Sequence, residues 1–300
     1  MRSVTYVDNI INHYNNNKTE LKKYLINNLE SFINIDYTNK RFFFEIIVKH
    51  TDLEIIKFVI SLINTPNIKE QAFEQLVALL YKYNKYESAN ILLFENNICI
   101  EKILMNMIHY NVNDDIIKGF FEIYSDVIAN LENDNETREW IMTYLGRSYN
   151  INLITYFNSK MELSDYDIEI IILNMITKNY TITFNNIRYM FENFYKDYNF
   201  HFIFSLIKEL YYNEYFEIID YVFEKIIFKI DTDNAVSFEN FYLQLSQLDI
   251  GGQQPFIVKL YEIFNEHYTD NDWDRLSLII NIDDFYKERK LRMQLAELAN

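Results

Sequence analysis

The sequence predicts an all-α fold: a solenoid of stacked helix–turn–helix repeats, about seven of ~33 residues, closed by a C-terminal helical cap. Three observations predict it. Apolar residues recur with helical period in nearly every segment. Strand-like alternation is scarce, "NYTITFN" (179–185) being the best and a short case. One octapeptide, "LEIIKFVI" from Leu53, returns along the chain at near-constant spacing.

Sliding "LEIIKFVI" along the sequence gives the elements in order. "TELKKYLI" (19–26) places Glu20 under Glu54, and "YESANILL" (86–93) places Glu87 there. "DDIIKGFF" (114–121), "INLITYFN" (151–158), "FNNIRYMF" (184–191) and "FEIIDYVF" (216–223) follow, with Asp115, Asn152, Asn185 and Glu217 in register. The anchor spacings are 34, 33, 28, 37, 33 and 32, so one insertion–deletion near residue 115 accounts for the short and the long value. "FIVKLY" (256–261) is a weaker eighth copy.

A helical segment ending in a short aromatic–polar break precedes each copy: "NHYNNN", "VKHTD", "YKYNK", "HYNVN", "RSYNI", "KNYTI" and "LYYNE". In "KEQAFEQLVALLYKY" (69–83), Phe73, Leu76, Leu79 and Leu80 share a face. In "DDIIKGFFEIYSDVIANL" (114–131), read as one helical segment, Ile116, Phe120, Ile123 and Val127 do the same. Asn113-Asp114 and Ser164-Asp165 read as helix N-caps. A single helix pair of this size cannot bury its apolar faces; stacking on a neighbour can. Residues 1–230 are therefore expected to form the array, and 231–300, which fit the repeat least, a helical cap continuous with it.

Composition supports a folded, acidic protein. Hydrophobic residues are 49% and aromatics 17%, while Gly (4) and Pro (2) are far below ordinary usage, so the turns must use other residues. Asn is the expected substitute, because it tolerates the left-handed region. A net charge of −16 argues against nucleic acid as a partner. No apolar run approaches the ~18 residues of a membrane span, and the N-terminus lacks the apolar core of a signal peptide. With Cys99 the only cysteine, the expected setting is a reducing cytoplasm without membrane attachment.

Signals of catalysis are weak. Gly119, Gly146 and Gly251-Gly252 are too scattered for a phosphate loop, and the last pair reads as a helix end. His13, His50, His109, His201 and His267 show no zinc-helix spacing. Cys99 reads as a small buried hydrophobe rather than a nucleophile. Asp270, Asp272 and Asp274 lack the Gly and terminal Glu of a calcium loop, and read as an acidic helix start. The expectation is no enzyme activity, no metal and no cofactor.

The period and layout resemble the ankyrin repeat. That family's second helix opens Leu-Glu-Ile-Val-Lys after a Gly-His break. Here Leu53-Glu54-Ile55-Ile56-Lys57 follow Thr51-Asp52, and the likeness runs over roughly residues 8–230. Phe42-Phe43-Phe44-Glu45 replace the family's Thr-Pro-Leu-His, Ile47-Val48 its small-residue pair, and Thr51, Asn84 and Tyr149 stand near its turn glycines. The chain thus resembles a degenerate ankyrin-repeat protein of the type found in AT-rich large DNA viruses, which would place it in the host cytoplasm. A helical solenoid of HEAT type is the alternative architecture.

The resemblance implies a binding surface. The family's two variable positions closing each first helix lie on its concave face. Carried over, they are Lys49 and His50, Lys82 and Tyr83, Tyr110 and Asn111, Arg147 and Ser148, with Tyr180 and Tyr212 further on. Stacked every ~10 Å, they would form a cationic, aromatic stripe. The plainer alternative is that these tyrosines cap helix ends and pack on the next turn. The function implied is a non-enzymatic protein–protein interaction scaffold. A second reading is an acidic decoy or virion/assembly component acting through its outer surface.

Overall fold

The computed structural model describes residues 10–226, except 16, 34–36, 97–98, 130–134 and 196–199. The expected cap, with Gly251-Gly252 and the Asp270–Asp274 cluster, lies outside the described residues. These residues are all-helical, without a strand. After a helical stretch at 10–15 come α1 (Lys18–Ile33), α2 (Tyr37–His50), α3 (Leu53–Leu62), α4 (Pro66–Lys82), α5 (Tyr86–Glu95), α6 (Ile100–His109) and α7 (Asp114–Ile123). Then follow α8 (Ser125–Ala129), α9 (Asn135–Ser148), α10 (Ile151–Met161), α11 (Asp165–Asn174), α12 (Tyr180–Asn193), α13 (Phe200–Tyr212) and α14 (Phe216–Ile226).

The chain divides into two compact units, Met1–Leu163 and Ser164–Asn300. In the N-terminal unit α2, α4, α6 and α9 pack one on the next. Helices α3, α5, α7 and α10 fold back on α2, α4, α6 and α9 respectively. In the C-terminal unit α11 packs on α13, α12 folds back on α11, and α14 on α13.

The recurring octapeptide occupies one environment throughout. All seven anchor positions, Glu20, Glu54, Glu87, Asp115, Asn152, Asn185 and Glu217, face solvent. Five residues on, Leu25, Val59, Leu92, Phe120, Phe157, Met190 and Val222 are each at most 3% exposed. An exposed polar residue and an apolar residue on the opposite face, repeated at one offset, is what an amphipathic helix docked on one side requires.

The breaks are built alike as well. After α4, α6 and α13 the chain enters the left-handed region at Asn84, Asn111 and Glu214, with φ of 58°, 51° and 62°. There Lys85 N–H donates to Leu80 O, Val112 N–H to Met107 O and Tyr215 N–H to Leu210 O, at 2.8–3.0 Å. This six-to-one closure satisfies a carbonyl that the helix end leaves unpaired. After α9, Tyr149 takes the left-handed position (φ 55°). There the Ser148 hydroxyl relays the closure, accepting from Asn150 N–H at 3.2 Å and donating to Leu145 O at 2.7 Å. Glu162, closing α10 at φ 47°, is a fifth left-handed residue, so among the described residues asparagine fills two of five positions where glycine would be least strained.

Expected N-caps are present. Asn113 accepts from Asp115 N–H, and Ser164 with Asp167 forms a capping box. Asn179 caps α12, which turns "NYTITFN", the best strand-like case, into helix. The structure corrects the single segment read over 114–131. α7 closes at Tyr124, and α8 starts at Ser125. Ile123, expected on the apolar face, is consequently 76% exposed, while Ile117 takes the buried place. This interruption falls in the 37-residue interval.

Large residues fill the places where the resembled family carries small ones. Phe43 and Phe44, Ile47 and Val48 are all core, at most 2% exposed. Among the described residues no helix is long and apolar enough to cross a membrane.

Candidate functional site: a basic and aromatic cluster on the first helices

The N-terminal unit brings the ends of α2, α4, α6 and α9 side by side, and with them several of the residues expected to bind a partner. On α2, Arg41 and Glu45 stand one turn apart on the same face. Glu45 accepts from Lys82 Nζ at 2.8 Å and from the Tyr83 hydroxyl at 2.7 Å, both from the end of α4. Burial works to raise the Glu45 pKa, but these two hydrogen bonds outweigh it and hold the carboxyl below its usual range. Burial and the same carboxylate push the Tyr83 hydroxyl up to about 12, so it stays a donor.

Arg41 reaches past α4 to α6. Its Nη1 lies 3.1 Å from His109 Nε2, and its guanidinium lies 4.8 Å from the centre of the Tyr110 ring. A guanidinium can only donate, so Nε2 is the unprotonated, accepting nitrogen. Burial, then Arg41 and Arg147, bring the His109 pKa down to about 4. The imidazole is therefore neutral at pH 7. The His109 ring meets that of Tyr144 edge-on, 5.2 Å between centres. Tyr144 in turn carries the Arg147 guanidinium at 6.0 Å and neighbours Trp140, which is 46% exposed, at 6.3 Å.

The expected residues thus divide. Lys82, Tyr83 and Arg147 belong to the cluster or its rim. Lys49 is exposed and His50 half-buried at the end of α2, and burial beside Lys49 and Lys85 holds the imidazole below its usual pKa. Tyr110 is core, 1% exposed, and offers a partner no surface. Asn111 and Ser148 are exposed and half-buried respectively, and serve the turn geometry above. Tyr180 and Tyr212 belong to the other compact unit. Tyr180 stands not at the close of a helix but at the start of α12, where its hydroxyl donates to Glu217 at 2.7 Å. The first helix before it, α11, ends at Asn174. Tyr212 closes α13 and is 64% exposed.

Sequence reasoning missed Arg41, His109, Tyr144 and Trp140. The signal for Arg41 is local: an arginine one turn before Glu45 on a helix otherwise full of phenylalanine. His109 and Tyr144 sit one and three residues before their predicted neighbours, within the uncertainty that an insertion leaves.

Cys99, by contrast, is half-buried, and burial with a hydrogen bond to Glu101 pushes its thiol up to about 11. A thiol so placed is protonated at neutral pH and a poor nucleophile. No group of three or more metal-ligating side chains occurs among the described residues. The arrangement can grip an anionic group against aromatic faces. Family models, curated proteins and solved structures give no match to this chain.

Proposed function

We propose that this chain is a non-enzymatic scaffold, a degenerate ankyrin-like helical repeat array of the type found in AT-rich large DNA viruses. It binds another protein through the ends of α2, α4, α6 and α9. The observation that carries the reading is the cluster of Arg41, Lys82, Tyr83, Tyr144, Arg147 and Trp140 on adjacent helices, in a chain of net charge −16. Tyrosine, tryptophan and arginine dominate binding hot spots, and electropositive character in an acidic protein selects its partner by charge. The repeat reading is supported by the seven shared environments and by polar contacts between successive recurrences. Lys22 bonds Glu54, Lys57 bonds Glu95, and Lys160 bonds Glu122, at 2.6–2.8 Å and 32 to 38 residues apart. Exposed pairs like these add little to stability, so they favour a register more than they stabilise it.

Affinity capture from the native cell, followed by mass spectrometry, tests the reading. The triple variant Lys49→Ala, Tyr83→Ala, Arg147→Ala should keep its helical circular dichroism and lose the captured partner. Unchanged capture that instead collapses with added salt would favour the outer-surface decoy or assembly role.

A further inference from the structure

The geometry points to a carboxylate site between Arg41 and Arg147, backed by His109 and walled by Tyr144 and Trp140, that takes an aspartate or glutamate side chain of a protein partner. It rests on the scaffold reading and names the chemistry of its central contact. Among the described residues neither guanidinium has a carboxylate within ion-pair distance, although Asp and Glu number 44 in the chain. Each is held instead by an aromatic or imidazole ring: Arg41 by His109 and Tyr110, Arg147 by Tyr144. Tyr144 links the two: its ring lies 5.2 Å from that of His109, which Arg41 Nη1 approaches to 3.1 Å, and 6.0 Å from the Arg147 guanidinium. Two positive charges flanking one pair of rings repel, and an anion between them relieves that repulsion. Glu45, on which Arg41 also acts, has its carboxylate engaged by Lys82 and Tyr83. With Glu45 nearby, the remaining positive charge suits a monoanion better than a doubly charged phosphate. The planar fork of a guanidinium matches the two oxygens of a carboxylate, and the exposed Trp140 ring supplies an apolar wall for the adjoining methylenes.

The test uses the full chain and a capped five-residue peptide carrying two glutamates, titrated at physiological salt. Trp140, one of two tryptophans, reports by fluorescence, with Trp140→Phe as the blank. A saturable change is expected with the glutamate peptide and none with its glutamine counterpart. Arg41→Gln and Arg147→Gln should each weaken binding about tenfold or more. Arg188→Gln, which removes the same charge from an exposed pair with Glu192 on α12, should stay within about twofold of wild type. Binding of the glutamine peptide, an equal loss in Arg188→Gln, no saturable change, or tighter binding by a phosphoserine counterpart would each overturn the assignment. Circular dichroism of every variant excludes unfolding as the cause. Should the triple variant lose its captured partner while the Arg41 and Arg147 variants retain it, the scaffold stands and this site falls.

Discussion

Arg41 and His109, 68 residues apart in sequence, share a hydrogen bond of 3.1 Å that joins α2 to α6 across α4. The bond exists only while His109 Nε2 is unprotonated. Its folded pKa of about 4, set by burial and then by Arg41 and Arg147, lies below the ordinary 6.5. The contribution is therefore complete above pH 6.5 and lost as pH falls toward 4. Thermal melts of wild type and His109→Gln from pH 7 to 4.5 should show wild type losing about 1 kcal/mol more, a figure reduced because the ring is partly solvated.

Glu74 should act in the opposite sense. It is 3% exposed on α4, and burial pushes its carboxyl up to about 7 against the pull of Lys102, whose Nζ is 3.7 Å away. A raised carboxyl pKa stabilises below the ordinary 4.5, and that contribution is lost as pH rises through about 7. Glu74→Gln should melt higher than wild type at pH 8, by about 1 kcal/mol of stability, and differ little at pH 5. A lower melting point at pH 8 would mean that the Lys102 pair outweighs the burial cost.

Lys85 ties one helix pair to the one before it. Its Nζ donates to Val48 O at 2.6 Å and Thr51 O at 2.7 Å, satisfying carbonyls at and just beyond the end of α2. Burial lowers its pKa, against the pull of Asp52. Lys85→Met keeps the stem and removes the donors. Leaving the carbonyls of these two buried residues without this partner should cost about 1–3 kcal/mol in urea unfolding, with the m-value unchanged if unfolding remains two-state.

Tyr149 and Asn84 share a backbone state but not a side-chain chemistry. At φ 55°, Tyr149 carries the left-handed strain of a bulky residue, about 1–2 kcal/mol. Tyr149→Gly should therefore stabilise by about 0.5–1 kcal/mol once the greater freedom of unfolded glycine is subtracted. Asn84→Ala, at φ 58°, should destabilise by about 1 kcal/mol. Thermal denaturation of the two variants reads both signs at once.

How much was legible follows from what is periodic. The anchor at Glu54 and the buried Val59 five residues on recur by sequence spacing alone, so both helix identity and buried face could be read. Asn84 and Asn111 could be read as left-handed turn formers, because that preference is local chemistry. Tyr149 and Glu214 could not, since neither residue type announces a positive φ. The break at Tyr124 that turns Ile123 outward was hidden for the same reason. An unbroken apolar period at 114–131 does not say that packing prefers two short helices to one.

The site divides the same way. Lys82, Tyr83 and Arg147 were named as candidates by position within a recurring motif, carried over from the resembled family. That Tyr110 faces inward, and that Arg41 spans two helices to reach His109, depends on how α2, α4 and α6 lie against one another. Helical period fixes which side of each helix is apolar, because burial is local and repeats every 3.6 residues. The partners of a charged side chain are set by distances between helices, and those are decided only when the apolar faces have packed.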